Sequence, residues 1–182
     1  MRVRADAVRN SERVLEAARE VFAERGLSAG VDEVAARAGV GKATVYRCWP
    51  TKELLVAAVA GARVDAFTER VLDALADPDP TGAFRELLLS AAETSAANRL
   101  LHTGLSASRE TPELAAKRAA CALAMQRLMD RGQQQGGIRR DATAADVTVL
   151  FNGFVAMLTA AGESDPAVWR RYADLVVAAL RP

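Results

Sequence analysis

The chain has 182 residues but only one histidine, His102, and two cysteines, Cys48 and Cys121, which stand far apart. With no CxxC pair and no cluster of His with Cys, neither a disulfide framework nor a structural zinc site is expected. Aromatic residues make up 5% of the chain, and Ala, Leu, Arg and Glu are abundant, a mixture that favours helices over strands. Neither sign of charge is in excess. The formal net charge is +1, and residues 1–60 carry ten Lys/Arg against eight Asp/Glu. A nucleic-acid partner would therefore have to be met by basic groups gathered on one face. The longest apolar stretch, residues 147–161, is too short to span a bilayer and is interrupted by Asn152. The N-terminal MRVRADAVRN lacks the apolar segment of a secretory signal, so a cytoplasmic location is expected, with no membrane partner. There is no GxSxG, phosphate-binding loop or HExxH, so the expectation is a non-enzyme without cofactor or metal.

What is present is a series of helical patterns with short punctuation. Val14, Leu15, Ala18, Val21 and Phe22 repeat at helical spacing up to Gly26. Val31, Val34, Ala35 and Ala38 repeat it in a very short helix ended by Gly39. A third short helix fits between Gly41 and Trp49, because Pro50 blocks extension. Thr51 caps a fourth helix, with Leu54, Leu55, Ala58 and Ala62 inward. Asp77-Pro78-Asp79-Pro80 is a break, after which Thr81 is the expected cap, with Phe84, Leu87, Leu88 and Ala91 inward. Further helices are expected over 99–106, from Thr111-Pro112 to about Gly132, from Thr143 with Asp146 at nearly capping-box spacing, and from Asp165-Pro166. No strand alternation is visible, so the fold class is all-α.

The informative stretch is VDEVAARAGVGKATVYRCWPTKELL, residues 31–55. Two helices of about two turns joined by a Gly-containing turn form a helix-turn-helix pattern. Ala35 is small where the helices cross, Gly39 reaches a left-handed conformation without penalty, and Val34, Val40 and Val45 can form the core beneath. The flanks sharpen this. Val14-Leu15-Glu16-Ala17-Ala18 through Phe22-Ala23-Glu24-Arg25-Gly26, then DEVAARAGV, GKATVYRCW and PTKELL follow in order, and over residues 10–60 the chain resembles the DNA-binding region of TetR-family regulators.

That resemblance implies a helix-turn-helix domain at 1–54 and a helical effector-binding and dimerisation domain at 55–182. It makes Lys42–Cys48 the recognition helix, with Lys42, Ala43, Thr44 and Arg47 toward base edges. Tyr46 and Lys52 match positions that hold phosphates, and Arg2, Arg4 and Arg9 are candidates for an N-terminal arm. The chain departs from the family pattern at Gly30 and Gly41, where Ser or Thr caps are usual, and at Cys48, where His or Arg is frequent. The implied function is a ligand-responsive repressor that binds a palindromic double-stranded DNA operator as a homodimer, the last two helices forming the interface. Phe84, Leu88, His102, Met125, Met129, Phe151 and Phe154 are candidate lining for a pocket holding a small-molecule effector. The same spacing serves an ordinary core, and the sequence does not separate the two. The alternative reading is a non-enzymatic helical interaction protein with a degenerate helix-turn-helix.

Overall fold

The structure is a computed structural model. It describes residues 2–98 and 109–182, with side chains from Arg9 onward. The helix expected over 99–106, including His102, lies outside the described residues.

Among the described residues the chain is built of helices alone: α1 (Arg2–Arg25), a short 3-10 turn (Gly26–Ser28), α2 (Val31–Ala38), α3 (Lys42–Cys48), α4 (Lys52–Ala76), α5 (Pro80–Ala97), α6 (Pro112–Gln134), α7 (Ala144–Ala160) and α8 (Pro166–Ala179). They fall into two compact units, one of residues 2–62 with 98 and 109–114, the other of 63–97 with 115–182. Helix α4 contributes to both.

In the first unit, the apolar stripe of α1 (Val14, Ala18, Val21 and Phe22) is fully buried, together with Val34 of α2, Val45 of α3 and Leu55 of α4. Gly26 and Gly39 have φ of 70° and 65°, so each ends its helix where a side chain would be strained. Arg2 and Arg4, the candidates for an N-terminal arm, lie in the first turn of α1. The segment RVRADAVR has no Gly or Pro to interrupt the helix, and the backbone stays helical from Arg2.

In the second unit, one cluster packs Phe84, Leu87 and Leu88 of α5 against Met125, Leu128 and Met129 of α6 and Val176, Val177 and Leu180 near the C-terminus. A second gathers Leu89, Ala92, Val155 and Ala173 around Trp169. Local caps set the helix starts. Thr111 Oγ1 accepts from Leu114 N–H at 3.2 Å, Thr143 and Asp146 form a reciprocal box, and Asp165 accepts from Ala167 N–H at 2.9 Å. The cap of α5 differs from expectation. Asp79, not Thr81, accepts from the first turn, through Gly82 N–H at 2.9 Å, and Pro80 occupies the first helical position.

Thr81 packs against the loop after α6 instead. A Cβ added to Gly137 would collide with Thr81 Oγ1 and lie 2.7 Å from Thr81 Cγ2 and 2.9 Å from Thr81 Cβ. Gly137→Ala is therefore expected to destabilise by about 1–3 kcal/mol through overpacking. Adding Thr81→Ala should recover part of the loss, because it removes Oγ1 and Cγ2 but leaves Cβ. Thermal unfolding of the two variants and the wild type checks this, and an unshifted Gly137→Ala midpoint would contradict the contact.

Candidate nucleic-acid interface

The short α3 is held by one buried side chain. Val45 is 1% exposed, while Lys42, Ala43, Tyr46, Arg47 and Cys48 are exposed and Thr44 is half-buried. The α2–α3 turn is fixed by backbone bonds: Gly39 N–H to Ala36 O at 3.1 Å and Val40 N–H to Ala35 O at 3.0 Å. Arg13 Nη2 reaches across from α1 to donate to Ala38 O at 2.6 Å, adding a cation at the C-terminal end of α2. The two glycine caps do not leave both helix starts bare. At Gly30 the Glu33 carboxylate accepts the cap N–H at 2.9 Å, which is one half of a capping box. At Gly41 no side chain caps α3, and the turn closes through Thr44 N–H to Gly41 O at 2.8 Å.

Most cations around this motif already have partners within the protein. Lys42 Nζ is 2.8 Å from Asp32 Oδ2 on α2, and the Tyr46 ring centroid lies 6.0 Å from the same ammonium. The hydrogen bond to Asp32 raises the Lys42 pKa. Arg37 bridges Glu24 at 2.7 Å and Glu20 at 3.0 Å. Those bonds raise its pKa and lower that of Glu24. Arg25 pairs with Glu33. Lys52 Nζ donates to Leu27 O at 2.5 Å, so in the free protein this expected phosphate ligand ties the start of α4 to the 3-10 turn. Arg47 is exposed on the face of α3 with no such partner among the described residues.

The structure thus brings Lys42, Ala43, Tyr46 and Arg47 onto one exposed surface with Thr44 beside them, and it sets Lys52 apart in a backbone contact. The side chains of Arg2 and Arg4 are outside the described residues, and Arg9 is exposed. Sequence reasoning missed Asp32 and Arg13. Both act across turns on residues far along the chain, and no local spacing announces such pairs.

Apart from His102, which is outside the described residues, the candidate effector residues are packed together in the second unit. Phe84, Leu88, Met125 and Met129 belong to its core, and Phe151 and Phe154 are partly buried against it, their rings meeting edge-on at 4.9 Å. A cavity of about 250 Å³ in this unit is lined by Thr81, Phe84, Arg85, Ile138, Val177 and Leu180, sharing only Phe84 with the expected set. Among the described residues no group of three or more His, Cys, Asp or Glu could hold a metal ion, and no helix is long and apolar enough to cross a membrane. Cys48 and Cys121 are free thiols.

Comparison with known proteins agrees with this geometry. Residues 14–59 match the bacterial regulatory proteins of the tetR family, and residues 79–182 match the C-terminal domain of SbtR-like transcriptional regulators. No curated protein matches the sequence. Among solved structures, a TetR transcription regulatory protein from Mycobacterium vanbaalenii is 34% identical, with 99% of each chain covered and a TM-score of 0.70. A TetR transcriptional regulator from Streptomyces coelicolor is 30% identical over 94% of this chain and 98% of its own, with a TM-score of 0.68. FadR from Bacillus subtilis, solved in complex with stearoyl-CoA, shares the fold at 18% identity, with 93% and 99% covered and a TM-score of 0.67. The chain belongs to the TetR family and is a DNA-binding transcriptional regulator.

Proposed function

We propose that this protein is a repressor that binds a palindromic operator as a homodimer and lets go when a small molecule occupies its second half. DNA binding is assigned to residues 1–54, and effector binding and dimerisation to 55–182. The observation that carries the reading is the outward face of α3. Lys42 and Arg47 can donate to guanine O6 and N7, Ala43 and the Thr44 methyl can contact thymine, and the Tyr46 hydroxyl can reach a phosphate. Lys52 would serve as a phosphate ligand by exchanging Leu27 O for a phosphate oxygen, and Arg4 remains an arm candidate at the start of α1.

The homodimer is supported by α7 and α8. Residues 147–161 contain no charge, yet Val149, Leu150, Gly153, Ala156, Met157 and Ala160 are exposed, as are Tyr172 and Leu175 on α8. Ala173, Val177 and Trp169 are buried in the core, so the proposed interface uses the opposite side of α8. A two-fold would set the recognition helices about 34–36 Å apart, one turn of B-DNA. Effector control rests on family membership and on the fold shared with ligand-bound FadR. A ligand favouring a DNA-incompetent arrangement would shift the population toward it, and α4, which contributes to both units, is the natural transmitter. The chain is read as cytoplasmic and non-enzymatic.

Fluorescence anisotropy with DNA from upstream of the protein's own gene, across a salt series, tests this. Selective binding that weakens with salt is expected, since phosphate contacts release counterions. Arg47→Ala should cost about 1–3 kcal/mol on the operator and relax selectivity at one base position, whereas Tyr46→Phe should weaken all sequences evenly. Equal affinity for operator and scrambled DNA in the wild type would remove the reading and favour a helical interaction protein.

A further inference from the structure

We propose that Asp32 sets DNA selectivity by competing with DNA for the ammonium of Lys42. The inference rests on the reading of α3 as the recognition helix.

The two residues lie ten positions apart, on either side of the Gly39 turn, and the turn geometry brings Nζ and Oδ2 to 2.8 Å. Both side chains stay open to solvent, at 51% for Lys42 and 70% for Asp32. An ion pair this exposed is weak, so it opens readily when a better-placed acceptor arrives. Asp32 also sits in the first turn of α2, where helix N–H groups stabilise a carboxylate whether or not Lys42 is present.

Two consequences follow for DNA. While the pair is closed, the leading cation of α3 presents almost no net charge to a phosphate backbone, so a random duplex gains little from it. Where a guanine edge or a correctly placed phosphate meets the ammonium, the pair opens and Lys42 contributes in full. The Asp32 carboxylate then remains within a Debye length, roughly 8–10 Å, of whatever phosphate Lys42 approaches, and repels it unless other contacts hold it. Both effects penalise non-specific binding more than operator binding, so Asp32 raises the ratio between the two.

The test uses the full chain with Asp32→Asn, which keeps a hydrogen-bonding side chain at the start of α2. Thermal unfolding verifies that the fold is retained. Affinities are measured for an operator duplex selected from a random library and for a scrambled duplex of equal length. The variant should bind the scrambled duplex roughly 1.5- to fivefold more tightly, with a log–log salt slope steeper by about 0.9. Operator affinity should rise less, so the selectivity ratio falls. In a Lys42→Gln background, Asp32→Asn should steepen the slope by less than it does in the wild type, because only the repulsion by the carboxylate is then removed. An unchanged slope and ratio, or weaker scrambled binding, in a protein whose wild type selects its operator would overturn the role of Asp32 alone. Failure of the wild type to bind either duplex would overturn the recognition-helix reading with it.

Discussion

Trp169→Ala is expected to lower stability by about 3–5 kcal/mol, the usual cost of truncating a large buried aromatic. The indole is 0% exposed and is enclosed by Leu89, Ala92, Val155 and Ala173. It meets Phe154 edge-on at 6.5 Å, and its Nε1–H donates to Glu163 O at 3.3 Å. Truncation removes this packing and the hydrogen bond to Glu163 O. Against a typical total of about 5–15 kcal/mol, the loss is large. For a chain of this size it should lower the melting midpoint by roughly 2–4 °C per kcal/mol. Trp169→Phe keeps a ring in the site and loses the donor, so its cost should be clearly smaller. Thermal and urea unfolding followed by circular dichroism measure both. A cost under about 1 kcal/mol for the alanine variant would mean that the site is less tightly packed than the structure shows.

Val149→Glu combined with Met157→Glu is expected to yield a folded monomer with operator affinity reduced by roughly 10²–10⁴-fold, the range lost when two linked contacts become one. Both side chains are about 70% exposed in the single chain, so charging them should leave its melting point nearly unchanged. They lie eight residues apart on α7, with Gly153 midway between them, and therefore share one face. Buried against a second copy, two unpaired carboxylates per protomer carry a desolvation penalty that no neighbour on this uncharged stretch offsets. Light scattering reads the mass, and anisotropy reads the DNA. A variant that stays dimeric would move the interface off α7. A monomer with intact operator affinity would rule out recognition of two half-sites.

The sequence disclosed those parts of the fold whose causes are local. Gly26 and Gly39 end helices because of their own backbone freedom, and Pro50, Pro112 and Pro166 mark boundaries because of theirs. Thr143 and Asp146 cap at the spacing their side chains dictate. The cap of α5 was misplaced because Asp79-Pro80 reads as part of a break, although it has the same cap-then-proline form as Thr111-Pro112 and Asp165-Pro166. What stayed hidden was tertiary. Lys52 meets Leu27 O and Lys42 meets Asp32 only once the turns between them are folded. Leu88, Met125 and Met129 were indistinguishable from pocket lining, since the periodicity that buries a side chain in a core also points it into a cavity.

Of the seven residues in α3, only Val45 is buried. The side chains on its open face therefore owe little to the packing that keeps the helix in place, and exchanging them should leave folding almost untouched. A lineage carrying this scaffold can drift from one target site to another by single replacements at 42, 43 and 47, without passing through an intermediate too unstable to survive.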